Sequence, residues 1–240
     1  MATVELYLQD AYQRSATARI IRADARGIQL DQTPFYALGG GQPGDRGWIS
    51  TAHGRIDIEN TVRERASGEI IHIPTSGEHW RKLNAGEEAQ AEIDWALRHR
   101  HMRCHTCLHL LCSLIPFPVT GGSVHAASGR LDFDIPESIL DKTELSEKLQ
   151  ALIDRNAPLS FQFLTVDEVR AKPELVRTLQ VAPPLDERPV RLVQIEGIDL
   201  QACGGSHLRA TGEIKRAWVT RIEKKGRLNR RVEIALEPLA

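Results

Sequence analysis

The chain has 240 residues, 41% hydrophobic and 26% charged, enough to bury the core of one large domain or two modest ones. Its formal charge of −1 excludes a globally basic nucleic-acid binder. No apolar run approaches the ~18 residues of a membrane span, and the start, "MATVELYLQD", lacks the basic-then-apolar order of a signal peptide. These features point to the cytoplasm, where thiols stay reduced and the four cysteines are metal or catalytic candidates rather than disulfide partners.

In chain order, "ARIIRADARGIQLD" (18–31) and "GRIDIENTVRERASGEIIHIP" (54–74) are short alternating or β-branched runs broken by glycine turns, which predict strands. Helical periodicity is absent before Asp94, and the polar stretch "HWRKLNAGEEAQ" (79–90) reads as the approach to a boundary. The first domain is therefore expected over 1–90, as a small β-barrel. Asp94 is a suitable N-cap for a helix from Trp95 to Ile115, stopped by Pro116. In "PESILDKTELSEKLQALIDRNAP" (136–158), Leu140, Leu145, Leu149 and Leu152/Ile153 follow helical spacing, and shorter helices are expected near 165–171 and 173–179. Strands return at "VRLVQIEG", "EIKRAWVTRIEKK" and "RRVEIALEP", with a turn at Gly226–Asn229. Helices followed by hairpin-like strands make residues 91–240 an α+β domain with a mostly antiparallel sheet, and the whole chain α+β.

The chemistry-bearing residues concentrate in two places. The first helix carries "RHRHMRCHTCLHLLC" (98–112), in which His105 and His109 stand at i and i+4 and project from one face. His101 and His105 share that spacing, and Cys104, Cys107 and Cys112 are interleaved. Successive i+4 steps drift by about 40°, so three such histidines do not readily serve one ion. His99 and His101 lie among arginines and are read as exposed. Far downstream, "CGGSH" (203–207) holds Cys203 and His207 beside two glycines that let the backbone bend. A pair from a helix with a pair from a distant loop suits four-coordinate zinc. A Cys203 nucleophile with a neighbouring base remains an alternative.

"GGGQPGD" (39–45) lacks the lysine and hydroxyl residue of a P-loop and reads first as a turn between strands. Positive charge gathers in "LRHRHMR" (97–103) and over Lys215–Arg231, where eight basic residues face one acid, Glu223. Such runs serve either as solvated faces or as a local patch for phosphates.

"HTCLH" (105–109), "CGGSH" (203–207) with "ATGEI" (210–214), and "FYALGGGQPGDRG" (35–47) together resemble the editing region of alanyl-tRNA synthetase. Without a synthetase catalytic domain, the chain is similar to the freestanding alanyl-tRNA editing proteins of the AlaX type, the medium-length form, over nearly its whole length. The resemblance implies a hydrolase that cleaves a wrong amino acid, chiefly serine and sometimes glycine, from the acceptor end of alanine tRNA, with Zn2+ as cofactor. It implies His105, His109, Cys203 and His207 as the metal ligands and gives His101 no such role. Thr120 is the best match to a threonine that senses the serine hydroxyl, and Gly39, Gly40, Gly41 and Gln42 match the glycine-rich motif that faces the editing pocket. It also favours an RNA role for Arg98, Arg100, Lys215, Arg216, Lys224 and Lys225. Two departures stand out: Ser206 replaces the threonine many relatives have, and Ser123 and His125 occupy the region where a glutamine often lies. A non-catalytic zinc-stabilised RNA-binding module is the alternative from another class. With four protein ligands filling a tetrahedral shell, the ion is expected to organise substrate, and water activation is the second option.

Overall fold

A computed structural model describes residues 2–75, 79–135, 140–177 and 189–238. The chain divides into two compact units, Met1–His99 and Arg100–Ala240.

The first unit contains β1 (Val4–Glu5), β2 (Ser15–Asp24), β3 (Gly27–Leu30), β4 (Gln32–Thr33), β5 (Gly47–Thr51), β6 (Gly54–Arg63), β7 (Ile70–Pro74) and β8 (Glu88–Ile93). Strands β2-β3-β7-β6-β5-β8 close an antiparallel barrel, which leaves no open edge to template aggregation. Period-two alternation sends Ile56 and Ile58 of β6, and Ala89, Ala91 and Ile93 of β8, into a core with Ile20, Ile28, Leu30 and Ile49. The polar stretch at 79–90 is part of this unit: Trp80 and Leu83 join that core, and β8 closes the barrel.

His72 and Thr33 form a buried polar pair. His72 Nδ1 donates to the Ile28 carbonyl at 2.9 Å, so its Nε2 accepts the Thr33 hydroxyl proton at 2.8 Å. Thr33 Oγ1 in turn accepts the Phe35 N–H at 3.1 Å. Burial pushes the His72 imidazole down to about 4 and keeps it neutral.

Asp94 caps α1 (Trp95–Leu114) by accepting the Leu97 N–H at 3.0 Å. Every residue from His101 to Cys112 is buried, so this helix has no solvent stripe over those three turns. That corrects the reading of His101 as exposed: neighbouring arginines mark a wet face only on a helix that has one. Arg103 is buried too, its guanidinium spent on the carbonyls of Ile214 (2.6 Å) and Glu237 (3.0 Å).

In the second unit, β9 (Val119–Val124), β10 (Ser128–Asp134), β14 (Ala217–Lys224) and β15 (Asn229–Leu236) form an antiparallel sheet in the order β14-β15-β10-β9. A second sheet joins β11 (Leu159–Leu164), β12 (Val190–Ile195) and β13 (Asp199–Ala202), also antiparallel. Helix α2 (Lys142–Asp154) is capped by Asp141, which accepts the Glu144 N–H, and buries Leu145, Leu149 and Ile153. Leu140 lies before its start, and residues 136–139 fall outside the described residues. The short helix expected near 165–171 is α3 (Val166–Arg170), closed by a capping box from Thr165 and Glu168. The one expected near 173–179 is a single 3-10 turn, Pro173–Leu175, and positions 178 and 179 lie outside the described residues. Mostly antiparallel sheet with a few helices is the α+β class expected. Among the described residues no helix is long and apolar enough to cross a membrane.

Candidate metal centre

Helix α1 reaches its place because β10 lets it approach. A Cβ built on Gly129 would meet Cys104 Sγ at 2.5 Å and Leu108 Cδ1 at 3.2 Å, so a side chain there would push the helix away. The helix presents His105 and His109 to the segment that leaves β13.

That segment is pinned on both sides. Arg191 of β12 accepts the Cys203 N–H on its carbonyl at 3.0 Å, and its guanidinium donates to the carbonyls of Cys203 (3.0 Å) and Gly205 (2.9 Å). The same guanidinium lies 3.9 Å over the Phe161 ring. Downstream, "ATGEI" is a 3-10 turn that locks the chain after His207: Glu213 accepts the N–H groups of Arg209 and Ala210, and Thr211 accepts that of Ala157. Its buried Thr211 hydroxyl donates into the end of α2, at the Ile153 carbonyl (3.1 Å).

The result is convergence across 98 residues of sequence. One donor atom from each of His105, His109, Cys203 and His207 lies within 4.8 Å of the others. Cys203 Sγ is 3.5 Å from His105 Nε2 and 3.4 Å from His207 Nε2. The Gly205 N–H also points at the sulfur, at 3.4 Å. Burial opposes ionisation of Cys203, but the imidazoles of His105, His207 and His109 outweigh it and hold the thiol well below its usual range. Burial, then the neighbouring His105 and His109, keep His207 neutral. His109 is pulled up to about 9: its burial works the other way, against the Cys203 thiolate and the Asp199 carboxylate. A half-buried thiolate close to three buried imidazoles is a donor set that fits a borderline-soft divalent cation. The remaining cysteines do not compete. Burial pushes Cys104 up to about 12, Cys112 to about 11, and Cys107 well above the ordinary range.

Three flanking groups were not legible as site residues. Thr106 Oγ1 lies 3.2 Å from His207 Nδ1 while accepting the Leu208 N–H at 3.2 Å. Asp199 Oδ2 lies 3.4 Å from His109 Nδ1, and Gln201 Nε2 donates to that same oxygen at 2.5 Å. The available signal was strand alternation, which places positions 199, 201 and 203 on one face.

The other expected site residues are not among the four converging donors. Thr120 is on β9, donating to the Asp132 carbonyl at 3.1 Å and accepting from Asn229 Nδ2 at 3.3 Å. Gly39 and Gln42 exchange backbone hydrogen bonds of 3.2 and 2.9 Å around Gly40 (φ 55°) and Gly41 (φ 79°). Positive φ at both central positions is the requirement of a tight two-residue hairpin turn. The turn tip is exposed, and the Gln42 side chain is buried. Arg100, Lys215, Arg216, Lys224 and Lys225 are exposed, as a phosphate-facing role needs. Arg98 is a correction. It is fully buried, with Nε donating to both oxygens of Asp45 (2.9 and 2.8 Å), a further close approach from its second nitrogen, and bonds to the carbonyls of Ala11 (3.0 Å) and Pro34 (2.7 Å). Its donors are consumed inside the first unit, so it is a structural ion pair and does not reach phosphate.

Residues 4–97 match the family described as tRNA synthetases class II (A), and residues 190–233 match the second additional domain of threonyl and alanyl tRNA synthetases. The barrel and the segment carrying Cys203 and His207 thus each match a region of tRNA synthetases. The chain is 34% identical to the alanyl-tRNA editing protein AlaX-M of Methanosarcina acetivorans, over 98% of its own length and 99% of that protein's. It is 33% identical to AlaX-M of Saccharolobus solfataricus, over 98% of this chain and all of that one (100%). Alanine–tRNA ligase of Pyrobaculum calidifontis is 34% identical over 92% of this chain, which spans 25% of the ligase. At this identity and coverage the chain belongs to the AlaX-M alanyl-tRNA editing family.

Proposed function

We propose that this chain is a trans-editing hydrolase that removes serine, and secondarily glycine, from mischarged alanine tRNA, with a zinc ion held by His105, His109, Cys203 and His207. The observation that carries the reading is the convergence of those four side chains, three buried and Cys203 half-buried, in a chain that aligns over 98% of its length with an AlaX-M protein. A zinc ion there supplies a positive centre beside the ester carbonyl or the amino group of the substrate.

The chain's own residues supply the rest. Four protein donors complete a tetrahedral shell, so the site favours holding substrate over activating water. Cys203 acts as a ligand: its sulfur lies with three imidazoles whose donor atoms are all within 4.8 Å of one another, the arrangement of a metal shell, whereas a nucleophile requires only one base. Thr120 serves as the hydroxyl sensor. Its single proton is engaged by Asp132, so it acts toward substrate as an acceptor, suited to the donor hydroxyl of serine. The Gly40–Gly41 turn offers exposed backbone to the substrate, and Arg100, Lys215, Arg216, Lys224 and Lys225 bind acceptor-stem phosphates.

Deacylation of seryl-, glycyl- and alanyl-tRNA, with and without a chelator, tests this. Seryl-tRNA hydrolysis that stops on chelation and returns with zinc is expected. Full-rate hydrolysis after metal removal, abolished by thiol alkylation, would replace the reading with a cysteine hydrolase. Binding of tRNA without ester cleavage would leave only an RNA-binding module.

A further inference from the structure

We propose that Asp199 is a positioning residue of the metal centre: held by Gln201, its carboxylate receives the Nδ1 proton of His109 and directs Nε2 toward the ion. The inference rests on the metal reading above and goes beyond it, because Asp199 is none of the four converging donors.

An imidazole that ligates through one nitrogen must keep its proton on the other, and a buried N–H needs an acceptor. His109 Nδ1 is buried and lacks an aligned hydrogen-bond partner among the described residues. The nearest charged oxygen is Asp199 Oδ2 at 3.4 Å, long for a hydrogen bond and a few tenths of an ångström from becoming one. Both side chains are only 7% exposed, so water does not substitute for the interaction. The Gln201 amide pins the same oxygen at 2.5 Å, which fixes the carboxylate before any ion arrives. His207 is held differently, by the neutral hydroxyl of Thr106.

Charge gives the second argument. A divalent ion, one thiolate and three neutral imidazoles sum to +1, and an uncompensated charge in a buried site is costly. The Asp199 carboxylate brings the centre to zero. Asparagine at that position keeps the shape and removes both the charge and the strong acceptor.

The experiment compares the metal-free parent with Asp199→Asn and, as a control on the same hairpin, the exposed Glu196→Gln. Zinc affinity is read by competition with a chromophoric chelator, and coordination by the visible spectrum of the cobalt-loaded protein. Asp199→Asn is expected to weaken zinc by about 10- to 100-fold, with a four-coordinate cobalt spectrum and the parent's metal-free unfolding transition retained. Glu196→Gln is expected to match the parent. Parent-like zinc affinity in Asp199→Asn overturns this proposal alone. A parent that takes up no zinc overturns the metal reading and this proposal with it. If Asp199→Asn does not fold, long-range proton–nitrogen NMR of the zinc-loaded parent decides. Ligation through His109 Nε2 with a hydrogen-bonded Nδ1 proton supports the proposal, and metal on Nδ1 overturns it.

Discussion

Burial alone does not decide which cysteine can hold a metal. Cys104, Cys107 and Cys112 share one helix with the histidines, yet burial is the largest influence on them and their thiols are pushed up. Cys203 is half-buried beside three imidazoles, and those reverse the direction. Cys203→Ala is therefore expected to abolish stoichiometric zinc binding while Cys112→Ala retains it, measured by metal analysis after gel filtration. Thr120 carries the selectivity expectation. Thr120→Val removes the acceptor that would pair a substrate hydroxyl, so the ratio of seryl- to alanyl-tRNA deacylation should fall by roughly tenfold or more, the scale of a single hydrogen bond. An unchanged ratio in matched kinetic assays would remove Thr120 from the site.

Among the elements, α1 shows how packing places chemistry. Its histidines meet the Cys203 loop only because Gly129 on β10 admits the helix, so Gly129→Ala should destabilise the second unit by about 1–3 kcal/mol and weaken zinc binding in parallel. Denaturant unfolding and zinc titration of the same variant check both. The barrel makes a separate prediction through His72, whose ordinary value of 6.5 is depressed to about 4 by burial. The unfolded chain binds that proton first as pH falls. Stability is thus full above about 6.5 and is lost progressively between 6.5 and 4, by about 3 kcal/mol in total. His72→Gln should flatten that slope in pH-dependent thermal unfolding, at some cost in stability at neutral pH.

At the scale of the whole molecule, a net charge of −1 hides a local excess of cations on the β14–β15 hairpin and just before it. Lys215, Arg216 and Lys224 are exposed, while Lys225 also pairs with Glu223 at 2.8 Å. If they track acceptor-stem phosphates, replacing Lys215 and Arg216 by alanine should weaken tRNA binding and lower the salt dependence of log K by about 1 for each phosphate that is no longer neutralised. Filter binding over a salt series measures this. Arg98 behaves otherwise: Arg98→Met leaves Asp45 buried without its partner, and the expected loss is stability, about 3–5 kcal/mol, with the salt slope unchanged.

By itself, the sequence determined what short-range physics controls. Alternating apolar residues specified the barrel strands and Asp94 the start of α1, while the i, i+4 spacing fitted His101/His105 as well as His105/His109 and the family motif chose the second pair. The ligand motifs were legible because both pairs are local. What only the tertiary structure decided depends on residues far apart in the chain. Arg98 and His101 occur among basic residues, and nothing local reports that the helix carrying them is enclosed or that Asp45, 53 positions earlier, takes up the arginine. Asp199 and Thr106 gain a role only when β13 and α1 meet, because a partner for a buried ring nitrogen is chosen by geometry in space. A charge on a polypeptide has no fixed function until folding decides whether water or another side chain answers it.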